Sequence, residues 1–291
     1  MNWTDFSDAV FNFSNYGELL PLFRDTLLAG AILGVVGGLI GTFVMMRDLA
    51  FAVHGIAELS FAGAAFALLI GADVIFGSLV GSILAALLLG VMGVRARERN
   101  SVIGVIMPFG LGLGILFLSL YEGRSANKFG LLTGQIVSVD STQLSVLAGT
   151  ALVVVVGLAL IWRPLTFASI DPDIATARGV PVRTLSLAFM FLLGIAVALS
   201  IQVVGALLVL ALLITPAAAA LQVTVAPRRV VVLSVAFAMI STVGGIMLAL
   251  GGSIPISPYV TTLSFVIYLL CRATGAVRRR RGWSQRPALA A

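Results

Sequence analysis

The chain is short of almost everything a soluble enzyme places at a reactive centre. It has one cysteine, Cys271, which excludes an internal disulfide and a thiolate cluster; a small apolar filler near a helix end is its simplest role. It has one histidine, His54, and only 12 acids. Charged residues make up 10% of the chain, where soluble domains carry about 25%. No Gly-x-x-x-x-Gly-Lys-Ser/Thr run occurs, so a phosphate-cradling nucleotide loop is not expected. The opening residues hold Asp5, Asp8 and Glu18 without a basic cluster, unlike a cleavable secretory signal. Aromatics interleaved with acids there fit an interfacial or extracytoplasmic segment over 1–26, with a frayed tail as the alternative.

What fills the chain instead is apolar. Of its 291 residues 60% are hydrophobic, and mean hydropathy is +1.13. This composition predicts an all-α, polytopic integral membrane bundle: a transmembrane domain over 27–274 and a basic cytoplasmic tail over 275–291. A helix needs about 20 apolar residues to cross the hydrocarbon core. Such runs lie at 27–45, 50–70, 74–94, 102–120, 144–161, 185–201, 203–221, 230–250 and 256–270. The sixth and seventh are so close that they also read as one hairpin broken around Ser200-Ile201-Gln202, leaving eight or nine crossings.

Charge placement supports the alternation, because cytoplasmic loops collect Lys and Arg. With the amino terminus outside and nine crossings, all but Arg24, Arg124 and Lys128 of the 18 basic residues fall inside. Most acids fall outside. The carboxyl terminus is then cytoplasmic, and the run from Arg278 to Arg281 meets anionic lipid headgroups rather than nucleic acid. Glycines recur at four-residue spacing in "GAILGVVGGLIG", as Gly30, Gly34 and Gly38 and as Gly37 and Gly41. Such rows let helix backbones approach closely and predict a tight bundle.

Two loops carry local signals. Outside, "FGLLTGQIVSV" is too short to cross and too apolar for a free loop, so a short outer or partly re-entrant helix is expected. Its Gln135 and the following Asp140 sit near the outer mouth, with Asp140 equally suited to capping the next helix through Ser141 and Thr142. Inside, Asp171 reads as an N-cap, Pro172 as the first helical residue and Gly179 as the stop, framing a short helix over Pro172 to Arg178. Such a helix either turns the chain or is presented to a motor subunit.

The most pointed feature is in "LAFAVHGIAELSFAGAAFALLIG". His54 and Glu58 are one turn apart, about 6 Å along the axis and on one face. Glu58 is the acid placed well inside a span, and an uncompensated acid there costs a few kcal/mol, about 2.5 to 3.5 on insertion scales. Three readings stay open: a hydrogen-bonded pair that locks helices, a proton relay, and a divalent-cation site. In the third, imidazole and carboxylate are both good ligands and the cation offsets the burial of the acid. One chain supplies only two ligands, so further ones come from other helices, water, or a second copy.

At this point the chain resembles the permease subunits of metal-uptake ATP-binding-cassette transporters, the zinc and manganese importers of the ZnuB/MntB type. The stretch "GTFVMMRDLAFAVHGIAELSFAG" is similar to the family's first-loop arginine and polar pair on the second helix. "ASIDPDIATARGV" is similar to its coupling helix, and "VVGALLVLALLITPAAAA" to its Val-Gly-x-Leu-Leu to Pro-Ala-Ala helix, with Gly205, Leu207, Leu208, Leu212, Leu213, Pro216 and Ala217 in register. Where family members commonly have Asp and then His, this chain has His54 and then Glu58, so the spacing is kept and the order reversed.

The resemblance implies a type II-like importer permease of the plasma membrane and not an enzyme. It implies a homodimer with two cytoplasmic ATP-binding subunits and an extracytoplasmic metal-binding protein. The transported cation is Zn²⁺, with Mn²⁺ next, and no cofactor is permanently bound. His54 and Glu58 would contact the metal. Asp171, Pro172, Asp173, Ile174, Ala175, Thr176, Ala177, Arg178 and Gly179 would face the ATPase. Gly205 and Pro216 read structurally, as close packing and a helix break, with Thr215 able to serve a backbone group that Pro216 frees. The rivals are a permease for a metal chelate, a proton-coupled secondary transporter, and an intramembrane enzyme, for which one His and one buried Glu are few groups.

Overall fold

The computed structural model describes residues 17, 21–92, 96–123, 131, 139–205, 209–250 and 255–284. The apolar runs form helices because a chain without water around it satisfies its backbone hydrogen bonds only within itself. In order these are α1 (Arg24–Met46), α2 (Ala50–Leu69), α3 (Val74–Met92), α4 (Ala96–Leu120), α5 (Ser141–Ile170), α6 (Pro172–Ala177), α7 (Val182–Val204), α8 (Val209–Leu213), α9 (Thr215–Val223), α10 (Pro227–Ala249) and α11 (Ile256–Ser284). Among the described residues eight helices are long and apolar enough to cross a membrane, and the Val209–Val223 segment is shorter.

The seventh apolar run is therefore not one long helix. α7 begins at Val182 beside Arg47 and runs about 34 Å at 1.5 Å per residue. α10 begins at Pro227 beside Arg163 and Met46, at the same end of the bundle as Arg47. The chain between them must return to that end, and it does so through α8 and α9. Among the described residues the shorter α8–α9 segment thus returns the chain between two of the eight long helices. The break falls at Gly205 rather than at Ser200-Ile201-Gln202, which continues α7. Gly205 has φ 84° and ψ 158°, a region essentially closed to residues with a Cβ, so the break itself requires glycine. Pro216 opens α9 in its first turn, where a missing N–H costs nothing, and no side chain caps that helix start. Leu207 and Leu208 lie outside the described residues.

The glycine rows act as spacers on two different neighbours. A Cβ on Gly34 would come 3.0 Å from Met239 Cα, and one on Gly38 would come 2.5 Å from Val235 Cα, so this row seats α1 against α10. Gly37 and Gly41 instead meet Leu212 and the Leu213 carbonyl of α8. Ser234 Oγ donates to the Gly38 carbonyl at 2.9 Å across the first seam. One hydrophobic core runs through the bundle, with Leu33, Ile40, Phe43, Ile56, Leu158 and Phe189 almost fully buried.

Candidate metal-permeation site

α2 is held by small residues on two sides. Toward α3, Gly63 faces the Gly77 carbonyl, Gly81 faces the Leu59 carbonyl, and the Ser60 and Ser78 hydroxyls meet at 2.9 Å. Toward α4, a Cβ on Gly110 would lie 3.0 Å from the Glu58 carbonyl carbon, and Gly114 lies against the Phe61 ring. These contacts fix the rotation of α2 about its axis. The stripe left partly uncovered runs through Phe51, His54 and Glu58, with Phe66 toward the far end.

The two polar side chains on that stripe meet as the spacing predicts. His54 Nε2 lies 3.7 Å from Glu58 Oε1, with the side chains 33% and 13% exposed. That separation is too long for a hydrogen bond, and His54 Nδ1 has no partner either. Among the described residues the pair makes no hydrogen bond to another helix. Glu58 borders the α4 seam, its Cβ 3.2 Å from where a Cβ on Gly110 would stand, and His54 is the more exposed of the two. Among the described residues no group of three or more His, Cys, Asp and Glu gathers. By helical rise Glu58 is about 12 Å and His54 about 6 Å from the start of α2, so the pair occupies the half of the helix nearer Arg47.

The second set of residues lies at the Arg47 end. Asp171 Oδ1 accepts from the Ile174 N–H at 2.9 Å, Pro172 occupies the first helical position, and Gly179 takes φ 79° to end the turn. The Val180 N–H closes back on the Ala175 carbonyl at 3.0 Å. α6 is thus a firmly capped plug: Ala175 is buried, while Pro172, Asp173, Ile174, Thr176, Ala177 and Arg178 are exposed. Asp140 likewise caps α5, in a capping box completed by Gln143, which is the structural of its two expected roles. Gln135 lies outside the described residues.

Arg47 lies in the short loop between α1 and α2. The structure ties it to both helices flanking α6. Its guanidinium donates to Ser169 Oγ of α5 at 3.2 Å and to Ser186 Oγ of α7, and sits 5.9 Å from the centre of the Phe189 ring. A cavity of about 400 Å³ at this end is bounded by Arg47, Leu49, Ser169, Pro172 and Ser186. Nothing in the local sequence pairs an arginine with serines 122 and 139 positions away.

The ABC 3 transport family profile matches residues 20–275, nearly the whole transmembrane region. The chain belongs to the ABC 3 transport family. This ABC 3 chain is 30% identical over 246 residues to the manganese transport system membrane protein MntC of Halalkalibacterium halodurans, covering 84% of this chain and 82% of that protein. It is 23% identical to the high-affinity zinc uptake system membrane protein ZnuB of Haemophilus influenzae, over 84% of this chain and 94% of the other. Its fold matches that of PsaBC from Streptococcus pneumoniae, solved in complex with Fab, with a TM-score of 0.79 and 24% identity over 89% of this chain and 95% of that one. The ABC 3 chain is therefore a multi-helix membrane permease of the manganese and zinc ABC-transporter family, with the importer-permease fold expected from its sequence.

Proposed function

We propose that this permease moves a divalent transition-metal ion inward across the plasma membrane, and that His54 and Glu58 contact the ion in transit. The observation that carries this reading is an imidazole and a carboxylate one turn apart on the uncovered stripe of α2, with hydrogen bonds made by neither. A passing cation offsets the cost of holding Glu58 among apolar helices. Two ligands hold an ion weakly, which suits release; a second copy of the chain across a shared axis would supply the same pair and complete a four-ligand set. The end bearing Arg47, Arg163 and α6 then faces the cytoplasm, as does the carboxyl terminus.

Energy comes from elsewhere. Asp171 to Gly179 present a rigid, exposed plug to a separate ATP-binding subunit, and Arg47 braces that plug to the loop from which α2 departs. Movement of α6 is transmitted through Ser169 and Arg47 to the metal-bearing helix. An extracytoplasmic binding protein delivers the ion to the opposite end.

The donor pair favours zinc, which takes imidazole and carboxylate together readily. Manganese is the second reading, favoured by the name of the relative from Halalkalibacterium halodurans. Reconstitution with the ATP-binding subunit, with Zn²⁺ and Mn²⁺ uptake measured side by side, separates them. Uptake unaltered in both His54→Ala and Glu58→Ala removes the site. Uptake by this chain alone, collapsing with the proton gradient, replaces the ATP-driven reading with a proton-coupled one. Competition of a labelled chelate, but not free metal, for uptake selects the chelate permease.

A further inference from the structure

A second polar site lies away from the metal pair. At the Arg47 end of the bundle, between α1, α5 and α10, is a cavity of about 780 Å³ into which Arg163, Arg228 and Arg229 all face. None of the three is ion-paired among the described residues. Arg228 and Arg229 occupy the first turn of α10, the positive end of its macrodipole, and that helix start has no side-chain cap. All three arginines are exposed, and their guanidiniums together with the uncapped backbone N–H groups concentrate positive charge along one cavity wall.

The rest of the wall identifies the kind of anion. Phe43, Trp162, Phe167 and Val231 line it, with Trp162 packed edge-on to Phe43 at 4.9 Å. One turn deeper on the same two helices, α5 exposes Leu160 (78%) and α10 exposes Val232 (67%). A tryptophan beside arginines, with exposed apolar residues on the next turn of the same helices, marks the headgroup level of a bilayer. The volume is in the range of small-ligand sites, about 300–1,000 Å³. We infer that this cavity is a binding site for an anionic phospholipid, whose phosphate is held by Arg163, Arg228 and Arg229 while its acyl chains lie along Leu160 and Val232. The site is separate from the metal pair and from the basic tail after residue 275.

The test uses the full chain purified in detergent and titrated with phosphatidylglycerol or with phosphatidylcholine of the same acyl chains. Native mass spectrometry reads the lipid retained, and thermal unfolding reads stabilisation. The wild-type chain retains phosphatidylglycerol at least tenfold more than the combined Arg163→Gln, Arg228→Gln, Arg229→Gln variant. The corresponding triple Lys variant keeps most of the retention, and Arg183→Gln, an exposed arginine at the same end outside the cavity, keeps all of it. Should the Gln triple not fold, single Arg163→Gln against Arg163→Lys decides the same point. Equal retention by wild type and Gln variants overturns the inference, as does equal retention of the two lipids. Protection by inorganic phosphate equal to that by phosphatidylglycerol reassigns the cavity to a soluble anion. Loss of the copurifying ATP-binding subunit with lipid retention unchanged reassigns it to protein docking.

Discussion

α1 and α2 are neighbours in sequence, joined by a turn of three residues and similar in length, α1 with five glycines and α2 with two. They are used in opposite ways. α1 spends its glycines sealing two seams, Gly34 and Gly38 against α10 and Gly37 and Gly41 against α8, and buries most of its surface in doing so. α2 is seated by its own Gly63 against α3 and by Gly110 of α4, yet keeps a stripe partly uncovered, and on it stand His54 and, beside the α4 seam, Glu58. Close packing is therefore not itself the functional signature. It is what holds the open stripe of α2 in a fixed direction, so that two side chains without hydrogen bonds remain together.

The sharpest way to break this contrast is to put a side chain into the α1–α10 seam. Gly38→Leu drives atoms into the Val235 backbone, which cannot rotate away, so the folded permease should be lost outright, read as recovery of monodisperse protein. On the open stripe the opposite result is expected. Glu58→Ala and His54→Ala should each lower metal transport by more than about tenfold, while midpoint unfolding temperature and yield stay at wild-type values. Normal transport in both would make the stripe no more than another packing surface.

Arg47 connects the regions, and its variants sharpen the comparison. Arg47→Gln should leave metal binding in place but reduce the ratio of metal moved to ATP hydrolysed several-fold in the reconstituted transporter. Arg47→Lys, which keeps the charge but not the forked geometry, should recover only part of it. A loss of metal binding equal to the loss of transport would place Arg47 in the site rather than in the linkage. Gly205→Ala should cost about 1–3 kcal/mol through the backbone angle alone, read as a lowered unfolding midpoint with the metal pair intact. The smallest effect belongs to Gly104→Ala, where an added Cβ meets nothing within 4 Å and stability should stay within about 0.5 kcal/mol.

Several elements were legible in the chain before any coordinates. Asp171, Pro172 and Gly179 frame α6 through rules that operate within a single turn, and the structure places each where those rules put it. His54 and Glu58 share a face because helical period alone sets that. Apolar run length gave the eight long helices, but it could not separate a long span from the interrupted α8–α9 return. That distinction depends on the φ of Gly205 and on how α8 leans against Gly37 and Gly41, and neither is written in hydropathy.

Local chemistry along one strand of sequence thus settled that this protein lives in a membrane, which residues begin and end its helices, and that an imidazole and an acid lie one turn apart. Contacts between distant segments settled the rest: that the pair stays uncovered, that Arg47 reaches Ser169 and Ser186, and that Arg163, Arg228 and Arg229 share a cavity. The division has a physical cause. Backbone dihedrals and hydrophobic period act over a few residues, whereas direction, exposure and charge meeting charge depend on which helices close against each other in three dimensions.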